Sequence, residues 1–177
     1  MKKIMMTLAA VIMAMTMSAQ MYIGGGIGFT SWTPEVGDGE SSMKFMPEIG
    51  FQLNENWGAG FVIGYVSDKA NVYGIGAESA FEFKPYARYT ALKWKTVNVF
   101  IDGGFDYYQT KNFKRTIFDV GLQPGVAVNL NKNVSFVTHF GFLGYRSVNP
   151  DGDDNNNTFI GLDLDGNNLT FGLYYNF

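Results

Sequence analysis

The sequence predicts an all-β fold: an eight-stranded antiparallel up-and-down transmembrane β-barrel over residues 21–177. The last residues alternate strictly between apolar and other side chains, which is typical of a strand with one face against an apolar medium. About ten residues are enough for a tilted strand to cross a bilayer. The tail is therefore predicted to be a membrane strand ending on an aromatic carboxy terminus, and its apolar face carries Leu169, Phe171, Leu173, Tyr175 and Phe177.

The first 20 residues are predicted to be a cleaved secretory signal peptide. Lys2 and Lys3 precede an uncharged run over 4–17, and small residues follow as far as Ala19. The run is shorter than the roughly 18–20 apolar residues that a spanning helix needs, and we expect cleavage near Ala19 or Gln20. Beyond this segment no apolar stretch is long enough for a membrane helix, so any spanning structure must be a closed barrel.

Composition excludes several classes of protein. The chain has no cysteine, which rules out disulfides and thiol chemistry. Without Lys2 and Lys3, 11 basic residues face 16 acidic ones, a formal charge of −5, so we expect no binding to nucleic acid. Mean hydropathy is near zero, which does not argue against a membrane barrel, because its apolar face is hidden by alternation.

Three prolines mark an internal repeat. Pro47, Pro85 and Pro124 lie 38 and 39 residues apart, and each is followed seven residues later by a short connection that opens into another alternating run. The repeated unit is strand, tight turn, strand and longer loop, and three units with a lone strand at each end give eight strands. Because proline removes a ladder hydrogen bond, we expect a β-bulge or kink at each one. The strands are expected at 21–32, 43–53, 57–67, 78–91, 96–109, 115–130, 133–146 and 167–177.

The connections differ in length at the two ends of the predicted barrel. Three tight turns lie at one end, and longer segments near 33–42, 68–77 and 147–166 lie at the other, together with a brief connection at 110–114. This asymmetry is typical of outer-membrane barrels and predicts periplasmic turns and extracellular loops.

One face of the predicted strands contains no charged residue within their cores. An Arg or Lys on the lipid face at mid-bilayer costs about 2–4 kcal/mol, so this absence indicates contact with lipid. Besides the carboxy-terminal strand, the predicted lipid face comprises Ile23, Ile27, Phe29, Phe45, Pro47, Ile49, Phe51, Leu53, Trp57, Ala59, Phe61, Ile63, Tyr65, Phe81, Phe83, Pro85, Ala87, Tyr89, Val97, Val99, Ile101, Phe105, Tyr107, Phe118, Val120, Leu122, Val126, Val128, Val134, Phe136, Phe140 and Phe142.

The opposite face is polar and rich in glycine, and Glu48, Arg88, Asp102 and His139 are expected at similar height. Side chains fill the bore of an eight-stranded barrel, and charges taken out of water must be paired. We therefore predict a polar plug, with a narrow water or proton path as the alternative. The predicted interior network comprises Lys44, Glu48, Glu82, Lys84, Arg88, Asp102, Asp106 and His139.

No catalytic group or cofactor is predicted, and we expect no enzyme activity. Ser135 is four residues from His139 along an extended strand, too far for direct contact. Barrel hydrolases that pair His with a Ser two residues on would need a serine where this chain has Gly141.

An oxygen-rich run over 151–157 is a weak calcium candidate through Asp151, Asp153 and Asn155. It departs from the EF-hand template, with Asn156 in place of Gly and Leu162 in place of the closing Glu. A solvated acidic loop is the interpretation that we favour.

With the repeat, the eight strands and the terminal Phe177, the chain resembles the small outer-membrane barrels of the OmpX and OmpA-domain type, often described as porin-family proteins. The resemblance covers about residues 21–177. It implies that the segment from Leu169 to Phe177 is the signal read by the barrel insertion machinery.

The partners expected from this interpretation are outer-membrane lipid, the insertion machinery and a surface ligand of the loops, and the barrel is expected to be a monomer. Because one fold hosts many functions, two functions stay open. One is a plugged barrel with a structural or surface-interaction role, and the other is a small porin-like channel for water, ions or small solutes.

Overall fold

The computed structural model describes residues 20–32, 39–70, 79–111, 116–149, 157–163 and 170–177. Within these ranges the chain forms ten strand segments and no helix. The segments are β1 Gln20–Trp32, β2 Glu40–Gln52, β3 Trp57–Asp68, β4 Ser79–Lys93, β5 Val97–Thr110, β6 Thr116–Asn129, β7 Val134–His139, β8 Phe142–Asn149, β9 Asn157–Asp163 and β10 Thr170–Asn176.

The segments form one closed antiparallel sheet. Strands β1 to β6 each pair with the next one along the chain, and β6 then pairs with both β7 and β8. Strand β10 pairs with β7, and β9 pairs with β8. Thus β7 and β8 together form the seventh barrel strand, β9 and β10 form the eighth, and the predicted eight-stranded up-and-down barrel is confirmed.

The first and last barrel strands close the sheet. Tyr22 pairs with Asn176 and Gly25 with Leu173 in an antiparallel register, and the Phe177 amide donates to the Met21 carbonyl at 2.9 Å. The predicted partnership of the carboxy-terminal strand with the first strand is therefore confirmed. Among the described residues, none lies in a helix long and apolar enough to cross a membrane.

The tight turns of the repeat define one end of the barrel, called here the turn end; the opposite end is the loop end. In each of two turns, an Asn side chain accepts hydrogen bonds from backbone amides. Asn54 Oδ1 accepts from the Asn56 and Trp57 amides at 3.0 and 2.9 Å. Asn131 Oδ1 accepts from the Asn133 and Val134 amides at 2.8 and 2.9 Å. Such Asx turns explain the Asn-x-Asn sequence of both connections.

The outer surface is apolar and aromatic, as the alternation predicts. Ile27 is 84% exposed and Phe29 is 74% exposed. Outward rings pair across strands, with Trp57 and Tyr89 centroids 4.9 Å apart and Tyr65 and Phe81 centroids 5.3 Å apart. A wall of this kind suits a lipid environment.

The alternation changes phase in the seventh barrel strand, and the prediction for Phe142 is wrong. Gly125 pairs with His139, whereas Leu122 pairs with Leu143, so the seventh strand holds one extra residue near Gly141. Gly141 has a φ of 70°, the left-handed conformation that glycine adopts in a G1-type β-bulge. Beyond the bulge Leu143 and Tyr145 face outward, so Phe142 and Arg146 face the bore.

Two further expectations need correction in part. The segment 147–166 is not all loop, because β8 continues to Asn149 and β9 begins at Asn157. No register shift accompanies Pro47 or Pro85. On one side of each of these prolines, the ladder skips the proline and one adjacent residue and then resumes in the same register. The loss of the proline's hydrogen-bond donor therefore does not require a bulge. Pro124 does lie opposite the bulged strand.

Candidate functional site

The bore is crossed at mid-height by a cluster that we call the plug: Glu48, Arg88, Asp102 and His139 with the rings of Tyr22, Tyr86, Phe100 and Tyr174. Arg88 and Asp102 are cross-strand partners on β4 and β5. Arg88 Nε donates to Asp102 Oδ1 at 2.7 Å and Nη2 to Oδ2 at 2.8 Å. This bidentate geometry is the strongest form of a carboxylate–guanidinium pair.

Glu48 is the second anion of the plug and is held by phenols. Tyr86 donates a short hydrogen bond to Glu48 Oε1, and Tyr174 donates to Oε2 at 2.5 Å. The hydroxyls of Tyr22 and Tyr86 lie 2.7 Å apart, and Arg88 Nη2 lies 3.6 Å from Glu48 Oε1. Glu48 is therefore both paired and hydrogen-bonded, as a carboxylate removed from water requires.

Aromatic rings surround the guanidinium of Arg88. Its Cζ lies 4.0 Å from the Phe100 ring centroid, 5.1 Å from that of Tyr86 and 5.6 Å from that of Tyr22. Cation–π attraction at such distances contributes on the order of 1 kcal/mol or more per ring in a desolvated site. Arg88 is thus stabilised by rings as well as by carboxylates.

Each ring of the plug lies over a glycine on the neighbouring strand. Gly50 is the ladder partner of Tyr22, Gly60 of Tyr86, Gly125 of Phe100 and Gly24 of Tyr174. A Cβ at any of these glycines would overlap that ring. The interior glycines therefore make the room in which four aromatic side chains fill the bore.

His139 belongs to the same network. Its Nε2 lies 2.9 Å from Asp102 Oδ2 and 3.4 Å from Arg88 Nη2, and its ring is edge-on to Phe100. Ser135 hydrogen-bonds instead to Asn129 and Asn176. The structure thus places His139 in the plug, and no serine of the described ranges hydrogen-bonds to it.

A second charged cluster lies nearer the loop end. Arg146 Nε and Nη2 donate to the two carboxylate oxygens of Asp119 at 2.9 and 2.8 Å. Lys84 Nζ donates to Gln123 Oε1 at 2.9 Å and lies 3.8 Å from Asp106 Oδ2. Within the described part of the chain, Glu82 Oε2 and Asp106 Oδ1 are buried without a hydrogen-bond partner.

Among the predicted interior residues, Lys44 belongs to neither cluster. It is half-buried on β2, pairs with Val66 in the ladder, and forms no ion pair in the ranges that the structure describes. The predicted network of eight residues therefore divides into the plug, the cluster that contains Lys84, Glu82 and Asp106, and this separate lysine.

Several predicted features fall outside the described residues. These are the signal segment up to residue 19, Leu169, and the calcium candidates Asp151, Asp153 and Asn155. In the described ranges, no group of three or more His, Cys, Asp or Glu side chains could hold a metal ion.

Several side chains that line the bore, besides Phe142, were not predicted from the sequence. Arg146 and Lys93 follow β-bulges, which reverse the alternation, and Tyr22 lies beside a run of glycines that weakens the pattern. The glycine at 141 was the available signal for Arg146, because a glycine inside an alternating run is typical of a bulge.

An apolar aromatic wall around a polar, side-chain-filled bore, in a closed eight-stranded sheet, defines an integral outer-membrane barrel. The chain belongs to the outer membrane protein β-barrel domain family, whose domain matches residues 4–177. This membership places the protein in the bacterial outer membrane.

A solved structure is similar in fold, the N-terminal β-barrel domain of Pseudomonas aeruginosa OprF. The similarity has a TM-score of 0.54 at 10% sequence identity and covers 89% of this chain and 97% of that one. A comparison with curated proteins gives no match.

Proposed function

We propose that this protein is a plugged outer-membrane barrel whose role is structural or surface-interacting and is performed by the segments at its loop end. In this account the barrel anchors and spaces those segments, and the bore does not conduct. The turns face the periplasm, the longer connections face the exterior, and the protein has no enzyme activity.

The plug is the observation that supports this proposal. Arg88 and Glu48 meet near the centre of the bore between side chains from opposite walls, since Tyr86 and Tyr174 both reach Glu48. The rings of Tyr22 and Phe100 fill space beside them. An eight-stranded barrel has an interior that side chains can fill completely, so an ion path here would require these groups to separate.

Conductance distinguishes the plugged barrel from the alternative function, a small channel. Purified, folded protein is placed in a planar bilayer in potassium chloride, and we expect no steady unitary conductance. The double variant Arg88→Ala/Asp102→Ala removes the ion pair and should conduct more often than the native protein. Steady, saturable conductance from the native protein would overturn the plug proposal and favour the channel.

The orientation and the surface role have a separate test. A short epitope inserted between Asn149 and Asn157 should be recognised by antibody on intact cells, while the same epitope inserted at Lys132 in a turn should require permeabilised cells. The reverse labelling pattern would contradict the proposed orientation. The first insertion lies between β8 and β9, and the second lies in the turn between β6 and β7, so neither interrupts a paired strand.

A further inference from the structure

We propose that the cavity at the turn end, called here the vestibule, is a binding site for a small organic anion that also carries hydroxyl groups, such as an acidic sugar. The vestibule has a volume of about 820 Å³, within the roughly 300–1,000 Å³ of typical small-molecule sites. Arg88, Tyr22, Phe100 and Tyr174 of the plug also line it. A ligand can therefore enter from the turn end and bind, rather than pass through.

The charge of the lining favours an anion. Lys93, Lys95 and Lys132 line the vestibule against a single acidic residue, Glu55. These three lysines form no ion pair within the described ranges, whereas Lys84, Arg88 and Arg146 each have a carboxylate partner. Since the chain as a whole is acidic, with a formal charge of −3, this excess of unpaired positive charge is local to the vestibule.

The rest of the lining suits hydroxyl groups. Side-chain amides both donate and accept hydrogen bonds, and Ser and Thr hydroxyls do the same. The hydroxyl groups of a polyol also donate and accept, so they can pair with either kind of side chain. Phe100, Val137 and Tyr174 supply an apolar surface deeper in the vestibule. The amide and hydroxyl residues that line it include Gln52, Thr90, Asn98, Asn129, Ser135 and Asn176.

A β-bulge brings one of the lysines into this lining. Thr90 pairs with Phe100, but Leu92 pairs with Val99 and Lys93 with Asn98, so the register shifts between Thr90 and Leu92. Simple alternation from Thr90 would place Leu92 in the bore. The shift instead leaves Leu92 outward, 49% exposed, and places Lys93 beside Asn98 in the vestibule.

The test is a titration of the folded, full-length protein in a non-ionic detergent at low salt, followed by NMR of its side-chain amides. D-Glucuronate is the probe, D-glucose is the neutral control of similar shape, and acetate is the anion without hydroxyls. We expect saturable shifts at Asn98 and Asn129 with glucuronate and at least tenfold weaker binding of both controls. Equal shifts with glucose or acetate, or no shift with glucuronate, would overturn the proposal.

Charge variants distinguish binding of glucuronate in the vestibule from non-specific attraction of this anion to lysine side chains. Lys93→Gln/Lys95→Gln/Lys132→Gln should weaken glucuronate binding at least tenfold. Lys69→Gln/Lys111→Gln removes two exposed lysines at the loop end and should leave binding unchanged. Equal affinities of the two variants would contradict a site in the vestibule, and the heat-dependent gel mobility of each variant verifies that it has folded.

Discussion

Arg88 is the residue on which the interior depends most. Its guanidinium is bonded to Asp102, lies near Glu48 and is enclosed by three aromatic rings. Its side chain is only 9% exposed. Removing one partner of such a pair leaves the other charge buried and uncompensated, which costs far more than the pair itself contributes.

Arg88→Met should therefore lower the free energy of unfolding by about 3–5 kcal/mol. Arg88→Met/Asp102→Leu should recover much of that loss, because no unpaired Asp102 carboxylate remains and Glu48 keeps its two phenols. Denaturant unfolding in lipid vesicles measures both. Equal destabilisation of the single and double variants would contradict the assigned pairing.

At this scale the sequence predicted the charged side chains of the plug but not the contacts that each of them makes. Alternation from neighbouring turns placed Glu48, Arg88, Asp102 and His139 at one height, and the structure brings these four together. The bond from Tyr174 to Glu48 joins residues 126 apart in sequence. It depends on the register across the closure, which no local pattern determines.

At the scale of the strands, Gly141 decides which face the following residues present. Its φ of 70° is accessible to glycine and, at lower cost than to other residues, to asparagine. The bulge turns Arg146 inward to Asp119. Without it, the guanidinium would lie on the lipid face.

Gly141→Ala should thus lower the free energy of unfolding by about 1–3 kcal/mol, the usual cost of a strained left-handed residue. Gly141→Asn should cost less, because asparagine tolerates this conformation. Denaturant titration of the three proteins gives the comparison. Identical stability of the native and Ala proteins would count against a left-handed bulge at this position.

The outward face makes a second prediction for the strands. Phe105 lies near the middle of β5, points outward and is 42% exposed. Phe105→Arg should cost about 2–4 kcal/mol in a bilayer, while Phe105→Leu, which keeps the site apolar, should cost clearly less. Folding of both variants into vesicles measures the difference, and equal costs would show that this face does not meet lipid.

For the whole molecule, the repeat of turns and prolines was enough to predict eight strands and the closure between the first and last. The prolines of successive hairpins lie 38 and 39 residues apart, and a closed sheet is required in lipid. The extension of the seventh strand beyond residue 146 to Asn149, and of the eighth strand over Asn157–Asp163, was not predicted. Asn and Asp are frequent around these segments, and both residues are typical of loops.

The two bidentate arginines inside the barrel differ in their exposure to solvent, and the plug accounts for this difference. Arg88 and Arg146 both donate from Nε and Nη2 to a single carboxylate, at distances between 2.7 and 2.9 Å. Their side chains differ in exposure, at 9% for Arg88 and 49% for Arg146. The two residues are therefore matched in their bidentate pairing with a carboxylate and differ in access to water.

Exchange of the arginine Nε protons with water, measured by NMR on the folded protein, tests the closed bore most directly. If the plug fills the bore, the Arg88 Nε proton should exchange at least tenfold more slowly than that of Arg146. Equal exchange rates for Arg88 and Arg146 would show that water reaches the Arg88–Asp102 pair as freely as the Arg146–Asp119 pair, and would contradict a bore packed closed around Arg88.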